Sequence, residues 1–232
     1  MKSVTLRFLK RRSVRRMLHP RWAYLISRST DPLSPAVGLD RGRPIDRYYI
    51  DRFIEANRAL IRGRVLEIKD LEYTSKFGKG VTQADVLDVN RENTAATVLD
   101  DIRSLSTIPD ESYDCFIITQ VLQYVDDLPA AARAIHRVLR PGGAALITLP
   151  TVGKLDGQED HVSGHFWRFT PDSARFIFSP HFQGDRLRID AWGNARVGMS
   201  FLAGLAIEDL TPRELETSDP NYVCGVTVVA IR

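Results

Sequence analysis

Two histidines in one polar loop have the side chains best suited to acid–base chemistry. His161 and His165 follow a short apolar run and stand among polar residues and glycines. The imidazole pKa of about 6.5 lets histidine accept a proton at neutral pH. We predict that His161 is a general base, because Asp160 beside it offers an orienting carboxylate, and His165 is the alternative. Each histidine could also pack beside Trp167 without any catalytic part.

Acids and one amide stand in or just after short apolar runs. Glu67 lies in the run 64–68, and Asp85 and Asp88 lie at the run 81–87. Asp101 follows a third run and Gln120 a fourth. If these runs are parallel strands, a ligand would bind at their carboxyl ends.

The stretch 108–150 contains the elements that would position such side chains. The run 115–118 is unbroken and apolar, as expected for a strand buried on both faces. Apolar residues at 128–139 recur at helical spacing, and the Pro-Gly-Gly sequence at 141–143 then stops the helix. A second apolar run at 144–149 completes a unit of strand, crossover helix and strand. The pattern predicts a parallel sheet.

Three motifs in this stretch resemble class I S-adenosylmethionine-dependent methyltransferases. They are Ser112-Tyr113-Asp114, Val121-Leu122-Gln123-Tyr124-Val125 and Leu139-Arg140-Pro141-Gly142-Gly143. The resemblance implies an α/β, Rossmann-like fold with a mostly parallel seven-stranded sheet flanked by helices, and S-adenosylmethionine as cofactor. The alternative is another Rossmann-like enzyme. NAD is disfavoured because no Gly-x-Gly-x-x-Gly follows the first strand.

The resemblance implies that the first strand leads into the cofactor-binding loop. In that family the loop reads acid-x-Gly-x-Gly, and its glycines let the backbone approach the methionine part of the cofactor. Glu67 matches the acid, but Lys69 and Leu71 stand where the glycines are expected. Glu67 and Lys69 are therefore predicted cofactor-binding residues in a loop that departs from the family pattern.

The same resemblance implies an adenine site after the third strand, 96–99. Asp101 would accept a hydrogen bond from the adenine amino group, and the backbone of Ile102 would contact the ring. Asp100 and Asp101 could instead cap a turn, since aspartate side chains commonly bond to nearby backbone N–H groups.

The remaining cofactor contacts are implied at the second and fourth strands. Either Asp85 or Asp88 would hold the ribose hydroxyls, and Gln120 would lie beside the methionine moiety. Between Asp88 and Thr97 there is no room for a crossover helix of ordinary length. The helices of the N-terminal half are therefore predicted to be abbreviated.

A narrower resemblance covers roughly residues 38–232. The motifs Pro-Ile-Asp-Arg-Tyr-Tyr at 44–49 and Glu-Tyr-Thr at 72–74 are similar to those of bacterial methyltransferase type 11-like proteins encoded near glycosyltransferases. We predict two parts, a basic N-terminal arm and linker at 1–44 and a methyltransferase-like domain at 45–232.

Positive charge is concentrated at the start of the chain. Nine Lys and Arg residues precede the first acid, Asp31, although the net charge of the whole chain is only +3. This arm favours contact with an anionic membrane surface, an acidic partner or an organelle import system, or else it is a solvated arm without function. Because the excess charge is confined to the arm, nucleic-acid binding is not predicted.

Cysteine usage and hydropathy limit the environment. Cys115 and Cys224 are the two cysteines of the chain, which is too few for a disulfide scaffold. The sequence shows no cluster of metal ligands and no apolar run of about 18 residues. We predict a cytoplasmic protein without a metal, with peripheral membrane or glycosyltransferase contact through residues 1–30.

The resemblance implies transfer of a methyl group from S-adenosylmethionine to an oxygen of a small molecule or glycan. The alternative is a catalytically inactive binding or scaffold module associated with polysaccharide glycosyltransferases. In that case Lys69 marks a lost cofactor loop. Calorimetry with S-adenosylmethionine distinguishes the two.

Overall fold

The computed structural model describes residues 29–155 and 164–232. Its strands are β1 (Gly63–Ile68), β2 (Val81–Asp88), β3 (Val98–Leu99), β4 (Tyr113–Thr119), β5 (Leu139–Pro150), β6 (Leu187–Trp192) and β7 (Gly225–Ile231). They form one sheet in the order β3-β2-β1-β4-β5-β7-β6. Strands β1 to β5 pair in parallel, and β7 runs antiparallel to β5. The predicted Rossmann-like, mostly parallel sheet is confirmed.

Short helices accompany the sheet. They are α1 (Ile45–Ala56), α2 (Glu72–Phe77), α3 (Leu128–Val138), α4 (Pro171–Phe178), α5 (Ala195–Leu202) and α6 (Pro212–Glu216). The start of α4 shows how local sequence defines a boundary, because the Thr170 side chain accepts a hydrogen bond from the Ser173 N–H and Pro171 occupies the first turn. Among the described helices, none has the length and apolar composition needed to span a membrane.

The connection from β2 to β3 contains no helix, as predicted. Residues 89–97 form turns and bends instead. The third strand is shorter than expected, because the N–H of Ala96 still belongs to the preceding turn and bonds to the carbonyl of Asn93 at 3.1 Å. The structure therefore places a compact loop where a crossover helix commonly stands.

The Pro-Gly-Gly sequence at 141–143 does not end a helix, which corrects the expectation. Helix α3 ends at Val138, and Leu139 already pairs with Tyr113 in the sheet. The next pair joins Cys115 to Ala144, so the residues between form a bulge inside β5. Gly142 has a φ of 79°, a conformation that other residues rarely adopt and that this bulge requires.

Packing divides the described chain into two units. The sheet unit comprises residues 50–151, 155, 164–191 and 225–232, and the smaller unit comprises 29–49, 152–154 and 192–224. In the sheet unit Val65, Ile117 and Leu146 are fully buried in one apolar cluster. Each such side chain contributes about 1.5–3 kcal/mol by leaving water, so this cluster anchors the central strands.

The smaller unit has its own core. Tyr49 stacks on Trp192 with ring centroids 4.0 Å apart, and the Tyr49 hydroxyl donates to the Leu215 carbonyl at 2.7 Å. Arg41 lies in the stretch predicted to be a linker. Its buried guanidinium donates to both carboxylate oxygens of Asp209, at 3.0 and 3.1 Å. Part of the expected linker is therefore packed.

Candidate functional site

The carboxyl ends of four parallel strands meet at one edge of the sheet unit. Ile68 of β1 is level with Leu87 of β2, and Asp88 is level with Leu99 of β3. Strand β4 pairs with β1 on its other side. The loops that follow these strands are consequently neighbours, which is the arrangement in which open α/β sheets bind ligands.

Glu67 supports the first loop from beneath. Its buried carboxylate accepts hydrogen bonds from the N–H groups of Tyr73 at 2.9 Å and Thr74 at 2.8 Å, in the first turn of α2. Burial raises the pKa of Glu67, and these hydrogen bonds oppose the rise. Glu67 thus ties the end of β1 to the short helix that follows.

Lys69 occupies the first expected glycine position and has a backbone φ of 76°. Its N–H donates to the Leu87 carbonyl at 3.0 Å, and its carbonyl accepts from Asn93 Nδ2 at 2.8 Å. A non-glycine residue at such a φ costs about 1–2 kcal/mol, so these two bonds hold a strained conformation. The lysine side chain is exposed.

Asp88 ends β2 beside this loop, whereas Asp85 lies inside the strand. Asp88 accepts from the N–H of Asn90 at 2.9 Å and from Asn93 Nδ2 at 2.6 Å. Through Asn93, the structure links the predicted ribose acid to the backbone of Lys69. Asp88 is half-buried, with acceptor capacity that a pair of hydroxyls could use.

Asp85 belongs to a separate buried cluster. Its carboxylate accepts from Arg64 Nε at 3.0 Å and from the Tyr113 hydroxyl at 2.9 Å. Although burial alone would raise the pKa of Asp85, the bonds from Arg64 and Tyr113 lower it. Burial and the Asp85 carboxylate raise the pKa of Tyr113 to about 12. The two ribose candidates are thus not brought together, and the environment of Asp85 is that of a structural ion pair.

Asp101 and Ile102 follow β3 at the same edge. The Asp101 carboxylate binds Arg103 at 2.5 Å, and Arg103 also binds Asp126 at 2.8 Å. Hydrogen bonding from Arg103 lowers the pKa of Asp101. Ile102 is buried. Asp100 instead braces the loop by accepting from the Thr107 N–H at 2.6 Å.

The turn after β4 is held by amide side chains. Gln120 has a φ of 55°, and its N–H donates to the carbonyl of Thr148 at 3.1 Å. Gln123 is 4% exposed, and its Nε2 donates to the Gln120 carbonyl at 2.8 Å. The Gln123 Oε1 atom is buried and accepts no hydrogen bond from the described residues. A buried acceptor of this kind suits a ligand that carries a donor.

The predicted histidine loop is described only in part, and His161 and Asp160 lie outside the described residues. The His165 ring packs on Tyr124 with centroids 4.8 Å apart, and its Nε2 contacts the Arg168 guanidinium. The indole N–H of Trp167 donates to the Val125 carbonyl at 2.7 Å. The segment 165–168 therefore packs against, and is hydrogen-bonded to, the turn after β4.

The donor and acceptor groups at this edge fit the parts of S-adenosylmethionine. Asp88 and Asp101 supply carboxylates for hydroxyl and amino donors, and Lys69 supplies a cation for a carboxylate. The buried Oε1 of Gln123 could accept from an ammonium group. Lys69 fits the cofactor least well, because its Cβ occupies space that a glycine would leave open.

Comparison with known proteins finds matches over part of the chain. A family described as a methyltransferase domain matches residues 67–147. Over 84 residues the chain is 39% identical to a malonyl-(acyl-carrier protein) O-methyltransferase from Serratia marcescens. This match covers 34% of this chain and 32% of that protein. The chain thus matches about a third of the length of this curated relative.

Solved structures share the fold. A methyltransferase from Archaeoglobus fulgidus described as SAM dependent has a TM-score of 0.53 at 16% identity, over 80% of this chain and 94% of that one. The cyclase SpnF has a TM-score of 0.53 at 14% identity, over 79% and 80%. The described residues therefore have the class I fold of S-adenosylmethionine-dependent methyltransferases. Within it, residues 67–147 are the part that matches the methyltransferase domain family.

Two residues at this edge, Asn93 and Gln123, were not predicted from the sequence to belong to the site. Asn93 stands in a polar loop in which side-chain turns are common, so its type alone predicts a turn and not its bonds to Lys69 and Asp88. Gln123 lies inside a motif that the resemblance used, but nothing in the sequence indicates that its side chain is buried. Only the packing of the loops brings either side chain to the site.

Proposed function

We propose that this chain is an S-adenosylmethionine-dependent methyltransferase that methylates an oxygen of a small molecule or glycan. The observation that carries the proposal is the φ of 76° at Lys69. Lysine rarely adopts this conformation. Its presence at Lys69, directly after β1, indicates that the loop has the shape of a cofactor-binding turn although the glycine is absent.

Each residue at the carboxyl edge has a part in this proposal. Bound S-adenosylmethionine would supply an activated methyl group together with its own leaving group. Asp88 would accept from the ribose hydroxyls, and Asp101 from the adenine amino group beside the Ile102 backbone. Lys69 would pair with the methionine carboxylate, and Gln120 and Gln123 would line the methionine end. The chain's main task is then alignment of the acceptor with the methyl group.

An alcohol acceptor must also lose a proton. We propose His161 as the base, with His165 second, because the Arg168 guanidinium contacts His165 Nε2. Phe166 and Trp167 are 50% and 41% exposed in the segment fastened beside this edge. Exposed aromatic faces suit sugar or planar acceptors, and similarity to an O-methyltransferase over 84 residues supports oxygen as the target.

The test is a calorimetric titration with S-adenosylmethionine of the natural protein and two variants. Asp101→Ala removes a carboxylate assigned to adenine, whereas Asp126→Ala removes the other carboxylate bound to Arg103 and serves as the matched control. Losing a hydrogen bond to a charged group costs about 1.5–3 kcal/mol. We expect Asp101→Ala to bind at least about tenfold more weakly, with Asp126→Ala close to the natural protein.

Two results would contradict the proposal at different levels. An absence of heat at millimolar ligand for the natural protein would remove the enzyme assignment. Equal weakening in both variants would instead show that Arg103 matters as an ion-pair partner, and the adenine assignment of Asp101 would fall.

A second candidate function is supported by the same loop. Lys69 and Leu71 both replace expected glycines, which favours a methyltransferase-shaped binding or scaffold module for a polysaccharide glycosyltransferase. A cyclase shares this fold, so the fold alone does not decide between the two. Copurification with a glycosyltransferase, together with no cofactor binding, is the outcome that this candidate predicts.

Attachment and location are also part of the proposal. The nine basic residues before Asp31 suit an anionic membrane surface or an acidic partner such as a membrane-bound glycosyltransferase. We assign the protein to the cytoplasm, at the face of the membrane.

A further inference from the structure

Asn93 uses every polar atom of its side chain at the carboxyl edge of the sheet unit. Its Nδ2 donates to the Lys69 carbonyl at 2.8 Å and to Asp88 Oδ2 at 2.6 Å. Its Oδ1 accepts from the Ala95 N–H at 3.0 Å. Because two acceptors face the nitrogen and one donor faces the oxygen, the orientation of the amide is determined.

The loop that carries Asn93 stands where a crossover helix is absent. Residues 89–97 have turns only, and the bonds of Asn93 span from this loop to the ends of both β1 and β2. The Lys69 backbone has a positive φ, and Asn93 supplies the donor to Asp88 Oδ2, while the Asn90 N–H donates to Asp88 Oδ1. One half-buried side chain thus restrains both groups.

We propose that Asn93 is a positioning residue that takes over the work of the missing glycine-rich loop and crossover helix. It holds the Lys69 peptide at positive φ and orients Asp88 toward the ribose. The inference rests on the proposed function, since it concerns the same cofactor site, and it adds a residue that need not touch the cofactor.

The chemistry of the contact allows an isosteric test. Asn93→Asp keeps the acceptor for Ala95 but places a carboxylate against Asp88 and the Lys69 carbonyl. Two carboxylates at this distance repel each other, and a proton shared between them removes the repulsion. In the variant, the pair therefore takes up one proton at a higher pH than an isolated carboxylate does. At low pH that proton restores an O–H donor between them, so the defect should shrink as pH falls.

Other ionisable groups stand in the loop itself and at the ends of the strands it joins: Lys69, Asp70, Arg91, Glu92 and Asp100. All five are present in every variant compared, so the carboxylate introduced at position 93 is what distinguishes Asn93→Asp. Asn90→Asp is the matched control, since Asn90 lies in the same loop and its Oδ1 only accepts, from the Glu92 N–H at 2.9 Å.

The experiment measures S-adenosylhomocysteine affinity by calorimetry from pH 5.5 to pH 8 for the natural protein, Asn93→Asp, Asn93→Ser and Asn90→Asp. We expect Asn93→Asp to bind about ten- to hundredfold more weakly at pH 8 and to recover most of this loss at pH 5.5. Asn93→Ser, which has no charge, should show a smaller loss that does not change with pH. Circular dichroism at each pH reports whether the variants are folded.

The outcomes separate this inference from the proposed function. If the natural protein binds and Asn93→Asp behaves like Asn90→Asp, the positioning role of Asn93 is overturned while the enzyme assignment stands. A loss that is the same at pH 5.5 and pH 8 would also overturn it, because a shared proton would then have no effect. If the natural protein does not bind the ligand, both fall.

Discussion

At the scale of single residues, two of the five described non-glycine residues with positive φ lie at the candidate site. Lys69 and Gln120 have positive φ although neither is glycine, and each directly follows a parallel strand at the edge where ligands bind. Such outliers persist only when surrounding contacts enforce them, and they cluster at functional sites. The contacts here are the bonds from Asn93 to Lys69 and from Gln120 to Thr148.

Lys69→Gly should stabilise the protein and strengthen cofactor binding. Glycine adopts positive φ without the cost of about 1–2 kcal/mol, and its greater freedom in the unfolded chain offsets about 0.5–1 of this. The free energy of unfolding, from urea titration, should rise by up to about 1 kcal/mol. S-adenosylmethionine should bind about two- to tenfold more tightly, because the loss of an exposed ammonium contact costs only about 0.2–1 kcal/mol and the cofactor gains room.

The control for this variant is Lys79→Gly, which removes an exposed lysine whose φ is not positive. We expect it to be neutral or destabilising. Should Lys69→Gly lose as much stability as the control, the strain at position 69 has no energetic weight.

At the scale of elements, one carboxylate connects β1 to α2. Helix α2 has six residues, too few to form by itself in water. Glu67 compensates by accepting from two N–H groups in its first turn, and Tyr73 of the same turn is buried in the sheet unit's core. Two sets of hydrogen bonds thus restrain the loop that contains Lys69: those of Glu67 to the start of α2 and that of Asn93 to the Lys69 carbonyl.

Glu67→Gln should destabilise the protein by about 1–3 kcal/mol, because one of the two N–H groups loses its acceptor. Burial raises the pKa of Glu67 above its ordinary value of 4.5. The folded state therefore binds a proton more readily than the unfolded state, and this group adds stability as pH falls through the raised pKa toward 4.5. Denaturant titrations between pH 4.5 and pH 8 should show that gain in the natural protein and its absence in Glu67→Gln.

Glu72→Gln is the matched control, since Glu72 lies exposed in the same turn of α2. It should retain the pH dependence of the natural protein. Identical pH profiles for the natural protein and Glu67→Gln would contradict the proposed protonation of Glu67.

At the scale of the whole molecule, charge is separated along the chain. All acids lie at or after Asp31, and nine basic residues precede it. The described residues begin at 29, so all nine of these basic residues lie outside them. This separation favours attachment as the function of the segment over a part in folding.

Deletion of residues 1–28 should abolish salt-sensitive binding to vesicles that contain anionic lipid and leave the melting temperature nearly unchanged. Each basic residue near such a surface contributes about 1 kcal/mol, and salt screens it. Cosedimentation at low and high salt measures the binding. A variant with Arg11, Arg12, Arg15 and Arg16 changed to Gln keeps the length of the segment and should lose most of the binding. Equal binding by the deleted protein would leave the segment without this function.

The sequence by itself determined the five parallel strands of this fold and their order along the chain. Unbroken apolar runs predicted the buried parallel strands, and the short spacing between Asp88 and Thr97 predicted that no helix joins β2 to β3. The Thr170 cap and Pro171 likewise set the start of α4 from local sequence. These features depend on neighbours in the chain, which is why pattern alone reveals them. The end of α3 was misjudged because Leu139 is drawn into the sheet by pairing with Tyr113.

Only the tertiary structure decided which side chains are available at the site. Asp85 and Asp88 are equivalent in sequence, but one is enclosed by Arg64 and Tyr113 from neighbouring strands and the other stands at the carboxyl edge beside Asn93. Likewise, the pairing of Asp101 with an arginine that also binds Asp126 joins two loops that are distant along the chain. Partners of this kind are brought together by strand order and loop packing, and no local pattern of residues records that order.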